Sequence, residues 1–181
     1  MSEMAFSRLL LVGFMGSGKS TVGRAVALEL GWRFLDFDDA IEEDFGASVA
    51  EIFHQVGEAR FRELENRTAE TFLNEDGVVL ASGGGWAAWP GRVGAVPLGT
   101  ATVWLSVSAD EAVRRTLAQP GQRPLLEGRD PRGAARKLIQ ERAPFYAAAK
   151  WRVDTEGLTV EDVSARILRI LAAEHTEIEP E

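Results

Sequence analysis

Apolar residues in this chain gather into short, nearly unbroken runs, separated by longer stretches in which they recur every three or four positions. The runs Leu9 to Val12, Phe34 to Leu35, Val78 to Ala81, Thr102 to Val107 and Trp151 to Val153 lack the alternation of a half-solvated strand, as parallel strands covered on both faces do. Between them the period lengthens. Val22, Val26 and Leu30 share one side of a helix predicted over 18–30. Ser48-Val-Ala-Glu51 has the spacing of a capping box opening a second helical stretch, which an amphipathic helix from Glu58 to Leu73 continues. Thr159-Val-Glu-Asp162 caps a last helix, with Leu158 and Val163 spaced as a hydrophobic staple. Five strands alternating with helices set the fold class as α/β, in one domain over residues 1–173, with an acidic tail over 174–181 expected to fray.

One stretch breaks this rhythm. Ala118 to Gly133 carries Pro120, Gly121, Pro124, Gly128 and Pro131 together with arginines, between two helical segments. It reads either as a lid over a binding site or as a solvated linker. The whole chain, 181 residues with 45% hydrophobic content, suffices for one domain with its own core. A net charge of −8 and a pI near 4.9 speak against a nucleic-acid or anionic-membrane surface, since that binding needs a basic face. A small-molecule partner fits better. The absence of cysteine excludes disulfides and thiolate metal sites and is compatible with the cytoplasm. The apolar run before Phe14 is too short for a signal peptide, and no run approaches a membrane span, so no targeting segment is expected.

The candidate chemistry begins where the first strand ends. Gly13-Phe-Met-Gly-Ser-Gly-Lys-Ser20 is a P-loop, a glycine-rich turn whose backbone N–H groups converge on nucleotide phosphates at the positive end of the following helix. Lys19 would reach the outer phosphates, and the Ser20 hydroxyl would meet magnesium. The second strand ends in Asp36-Phe-Asp38 followed by Asp39, at the strand end where open α/β sheets bind ligands. The two-residue spacing would aim Asp36 and Asp38 the same way if the strand persisted, although such a cluster also serves as a helix cap or turn. Ser82-Gly83-Gly84-Gly85 holds more glycine than a turn needs and suits close approach of a ligand. Arg62, Arg123 and Arg142 offer planar forks for carboxylate or phosphate; from spacing alone Arg62 reads first as an exposed helix ion pair with Glu58 or Glu65. His54 and His175 have no metal-ligand spacing and receive no chemistry. The five tryptophans read as core or crevice walls.

Taken in order, these residues closely resemble those of the shikimate kinase family, over nearly the whole chain to about Leu171. The resemblance is carried by Lys19-Ser-Thr-Val-Gly-Arg24 in the P-loop, Phe34-Leu-Asp-Phe-Asp38, Phe61-Arg62 with Glu65, Gly83 to Gly85, Arg123-Pro-Leu-Leu126 and Glu141-Arg-Ala-Pro-Phe-Tyr146. It implies a three-layer P-loop kinase fold, with a five-stranded parallel sheet in the order 2-3-1-4-5. It also implies transfer of the γ-phosphoryl of ATP to the 3-hydroxyl of shikimate. By that resemblance Gly16, Ser17, Gly18, Lys19, Ser20 and Thr21 bind the ATP phosphates with Arg123, and Arg115 lies near adenine. Ser20 ligates Mg2+, with Asp36 acting through water. Asp38 binds the acceptor hydroxyls and takes the proton. Arg62, Arg142 and the Gly83, Gly84 and Gly85 backbone hold the rest of shikimate, and Lys19, Asp38 and Arg123 form the catalytic set. A cytoplasmic monomer is expected. Two features depart from the family pattern: the bulky Trp86-Ala-Ala-Trp-Pro90 after the glycines, and the short Asp154-Thr-Glu-Gly157 loop without a basic residue. The rivals are a gluconate kinase or other small-metabolite kinase, a GTPase-like switch, for which the Asn-Lys-x-Asp element is missing, and a catalytically silent ligand sensor.

Overall fold

The computed structural model describes residues 6–118 and 130–176, the last two of these as backbone only. In chain order the elements are β1 (Arg8–Val12), α1 (Lys19–Leu30), β2 (Arg33–Asp36), α2 (Phe37–Phe45), α3 (Val49–Phe72), β3 (Val78–Ala81), β4 (Thr100–Ser106), α4 (Ala109–Leu117), α5 (Pro131–Tyr146), β5 (Trp151–Asp154) and α6 (Val160–Thr176). Two 3-10 turns, Trp86–Ala88 and Val93–Ala95, lie between β3 and β4.

The strands form one parallel sheet in the order β2-β3-β1-β4-β5, as the resemblance implied. All five residues of β1 are buried because helices cover both faces. Side chains alternate between those faces. Leu10, Val12 and Leu80 meet Phe37, Trp86, Ala112 and Tyr146 on one side; Leu9, Leu11, Val79 and Val103 meet Val22, Val26, Ile167 and Leu171 on the other. Burying each such side chain is worth about 1.5–3 kcal/mol, so the apolar runs themselves fix β1 at the centre. A smaller cluster of Ile41, Ile52 and Phe61 joins α2 to α3.

Several boundaries move. Chain direction changes immediately after Asp36, which caps α2 by accepting from the Asp38 N–H at 3.0 Å. Asp38 therefore stands in the first turn of a helix, not on a strand, and the strand-spacing argument for its direction fails. The capping box at Ser48 and Glu51 is present, and the two predicted helical stretches form one element interrupted at Gly57, whose φ of 77° leaves the helical region. Leu158 and Val163 pack into one core cluster, and Thr159 Oγ1 accepts from the Asp162 N–H at 3.1 Å. α6 runs past Ala173, where fraying was expected, because Lys150 donates to Glu174. The expected lid shortens at its far end: Asp130 caps α5, and Pro131 to Gly133 form its first turn. Residues 119–129, including Arg123, lie outside the described residues.

Candidate active site

β1 delivers the chain into the P-loop at full depth. Gly13, Gly16 and Gly18 have φ values of 144°, 74° and 92°, which side chains rarely adopt. The space beneath is also closed: a Cβ on Gly13 would overlap the Leu105 carbonyl, and one on Gly16 would lie 2.7 Å from Ala112 O and 3.0 Å from Thr116 Oγ1. Gly18 caps α1 without a side-chain hydrogen bond, so the first-turn N–H groups keep their capacity to bind an anion. Lys19 Nζ donates to the Gly13 and Phe14 carbonyls at 2.9 and 3.1 Å. Ser20 Oγ donates to Asp36 Oδ2 at 2.6 Å. Asp39 turns away to Arg24, 2.7 Å distant; burial and the neighbouring Asp36 push its pKa up, Arg24 opposing.

The glycine turn after β3 is crowded with charge. A Cβ on Gly83 would come within 2.6 Å of Glu65 Oε1 and 2.9 Å of Asp38 Oδ1, and one on Gly85 would overlap the Arg62 guanidinium. The Gly84 carbonyl accepts from Tyr146 Oη at 2.7 Å and from Arg142 Nη1 at 3.4 Å. None of these three glycines has positive φ; they are needed for close approach. The turn thus gathers Asp38, Arg62 and Arg142 from three different helices.

Arg62 does pair with Glu65, at 2.6 Å, and with Glu58, at 3.4 Å, but the expected exposure is wrong for the first: the Arg62 and Glu65 side chains are 13% and 2% exposed. Burial drives the Glu65 pKa upward; Arg62, Arg92 and the Trp86 N–H work against it. Burial likewise pushes the Tyr146 hydroxyl up to about 12, keeping it a proton-bearing donor.

A cavity of about 580 Å³ runs along the P-loop and is lined by Gly16 to Thr21, by Asp36, Asp38 and Gly84, and by Arg115, Thr155 and Leu158. Arg115 donates to Glu111 Oε1 at 2.7 Å, to Thr155 Oγ1 at 3.0 Å and to Thr155 O at 2.9 Å. Hydrogen bonds from Arg114 and Arg115 hold the Glu111 carboxyl down at about 2. The loop after β5 lacks its own basic residue, and Arg115 reaches it from α4. Of the bulky pair after the glycines, Trp86 is core, 5.5 Å from Phe37 and edge-on, while Trp89 is 49% exposed.

Ser20 and Asp36 present a hydroxyl and a carboxylate side by side, hard oxygen donors that fit Mg2+. No cluster of three or more His, Cys, Asp or Glu suited to a metal exists among the described residues, so phosphate and water would supply the rest of its shell. Sequence alone did not show the burial of Glu65, the Tyr146–Gly84 hydrogen bond, the nearness of Arg92 to Glu65 or the Arg115–Thr155 clasp. Only Glu65 had a signal, its i,i+3 spacing from Arg62.

The family model for shikimate kinase matches residues 15–172. The shikimate kinase of Synechococcus sp. (strain RCC307) is 44% identical over 165 residues, 91% of this chain and 84% of that one. That of Moorella thermoacetica is 41% identical, covering 91% and 94%. Among solved structures, a shikimate kinase from Acinetobacter baumannii in complex with shikimate superposes with a TM-score of 0.87 at 31% identity, covering 94% of this chain and 96% of that one.

Proposed function

The chain belongs to the shikimate kinase family and is an ATP-dependent kinase of the shikimate pathway, and from that premise we propose how its residues divide the transfer of the γ-phosphoryl to the 3-hydroxyl of shikimate. The P-loop N–H groups hold the phosphates, and Lys19 exchanges its two carbonyl acceptors for the outer phosphate oxygens. Ser20 and, through water, Asp36 would hold Mg2+, which would neutralise charge on the phosphates. Asp38 receives the acceptor hydroxyl and takes its proton as that oxygen bonds to the γ-phosphorus and the bond from phosphorus to the bridging oxygen breaks, leaving ADP. Arg62 and Arg142 grip the shikimate carboxylate against the glycine turn. Arg115, flat and clasped, faces the adenine. Arg123 completes the charge stabilisation from the lid. Phosphoryl transfer of this kind needs positioning and electrostatics rather than a protein nucleophile.

One observation carries this reading: Asp38, Arg62 and Arg142 converge on Gly83 to Gly85, beside the phosphate cavity that Asp38 and Gly84 also line. No described helix is long and apolar enough to cross a membrane; that the enzyme works as a cytoplasmic monomer belongs to the proposal. A coupled assay of ADP release across shikimate, quinate, gluconate and nucleoside monophosphates tests the reading. Turnover should depend on shikimate; equal turnover with gluconate would overturn it, and shikimate binding without ADP release would favour a sensor.

A further inference from the structure

Arg92 is packed between two indoles at the back of the glycine turn. Its guanidinium carbon is 5.9 Å from the Trp86 ring centre and 5.3 Å from that of Trp89, within cation–π range. Nη1 donates to the Trp86 carbonyl at 3.3 Å, while the Trp86 N–H faces the Glu65 carboxylate and favours its charged form. Trp86 itself is 4% exposed and wedged against Phe37, so it cannot swing away. Arg92 therefore holds the carbonyl of the same residue whose N–H faces Glu65, and Glu65 accepts from Arg62 Nη1 at 2.6 Å. A carboxylate this deeply buried keeps its charge only with cationic or hydrogen-bonding support.

We propose that Arg92 is a positioning residue for the phosphoryl acceptor: clamped by Trp86 and Trp89, it steadies the Trp86 backbone and Glu65, and through them the Arg62 fork. This rests on the assignment of Arg62 to the acceptor carboxylate. Arg92 touches no reacting atom. With Arg62 it places two cations about the buried Glu65 carboxylate.

The charged and titratable groups facing Glu65 are Arg62 on its own helix, Arg92, Asp38 across Gly83 and Tyr146 from α5, with Glu58 sharing Arg62 from the turn before. The arginines stay charged and the tyrosine stays neutral through the working range, so Glu65 is the group on this wall whose charge answers to Arg92. Removing Arg92 takes away one influence favouring ionised Glu65, which then protonates at a higher pH and releases its grip on Arg62.

Steady-state kinetics of Arg92→Met against pH test this. KM for shikimate should rise roughly tenfold, with kcat and KM for ATP within about twofold of the parent. The acid-side rise in that KM should also begin at higher pH. Arg92→Lys should restore the pH profile more fully than the KM, because the charge returns without the fork. Trp89→Leu, at an exposed position, should move KM for shikimate in the same direction. A folded Arg92→Met enzyme with unchanged KM and pH profile overturns the proposal, and if that variant does not fold, an unchanged KM in Trp89→Leu overturns it. Arg62→Ala separates the two levels. If it leaves shikimate affinity intact, the carboxylate assignment fails; if it weakens affinity while the Arg92 and Trp89 variants do not, only the role of Arg92 fails.

Discussion

The two ends of the sheet are built on opposite plans. At the amino ends of the strands, Arg8 is 8% exposed and spends its guanidinium on four partners: Glu75 O at 3.0 Å, Asp76 Oδ1 at 2.6 Å, and Leu98 O and Thr100 Oγ1 at 3.4 Å. The backbone around it is closed as well, with Gly77 N donating to Ser7 O and Arg33 N to Gly77 O. At the carboxyl ends, the hydroxyls of Ser17, Ser82, Ser106 and Thr116 are buried without a protein partner, three glycines replace side chains, and Asp38, Arg62 and Arg142 press on the turn they leave. Parallel strands permit this division because every strand enters at one end and leaves at the other. One end consumes its polar groups internally; the other keeps them for ligands. Substitutions at the two ends should accordingly separate stability from turnover.

The largest effect tests the binding end. Lys19 makes two backbone contacts that any modest rearrangement can spare, whereas its ammonium would be needed at the phosphates. Lys19→Met should lower kcat by about a hundredfold or more with an unchanged melting temperature. Turnover within a few-fold of the parent would remove Lys19 from the chemistry and blur the contrast between the ends.

Arg8→Met is the reciprocal experiment. It strips hydrogen bonds from the Glu75 and Leu98 carbonyls, and the exposed Asp76 contributes little to the cost. Stability in urea should fall by about 1–3 kcal/mol, with kcat and both KM values unchanged. A loss of turnover without a loss of stability would mean the amino end communicates with the site, against the division drawn here.

The contrast also explains what could be read from sequence. β1 and β3 were legible because burial on both faces leaves no alternation to misread, and the P-loop because its glycines follow a strand directly. α2 was not: Phe37 and Ile41 have helical spacing, but Asp36, Asp38 and Asp39 hide it under charge that looks like a strand-end site. Asp36 is in fact a helix cap that also accepts from Ser20 at the phosphate cavity, whereas sequence alone set a cap and a ligand site against each other as alternatives. Spacing identified Glu65 as a partner of Arg62 but carried no information on depth, which is set by the distant Trp86 and Gly83. The close approach at Gly83 to Gly85 was legible from the glycines; that Asp38, Arg62 and Arg142 are the side chains beside them followed only from the family resemblance, since they come from three helices. Contacts such as Arg115 with Thr155, 40 residues apart, leave no local signature at all.

The smallest predicted effect concerns an exception to the contrast. Glu111 lies at the binding end yet is fully engaged within the protein, accepting from Arg114 and Arg115 at 2.6 to 2.7 Å, with its carboxyl held at about 2. Because the folded value lies below that of the unfolded chain, the clasp contributes stability above pH ~4.5, and the contribution fades as pH falls from there towards 2. Glu111→Gln should therefore lower stability slightly at neutral pH and flatten its decline across that acid window, as melts at stepped pH would show. The same variant frees Arg115 from one of its anchors, so KM for ATP should rise by about two- to threefold while KM for shikimate holds. A clasp that serves only the fold would leave KM for ATP unmoved, and Glu111 would then belong with Arg8 in kind although it stands at the other end of the sheet.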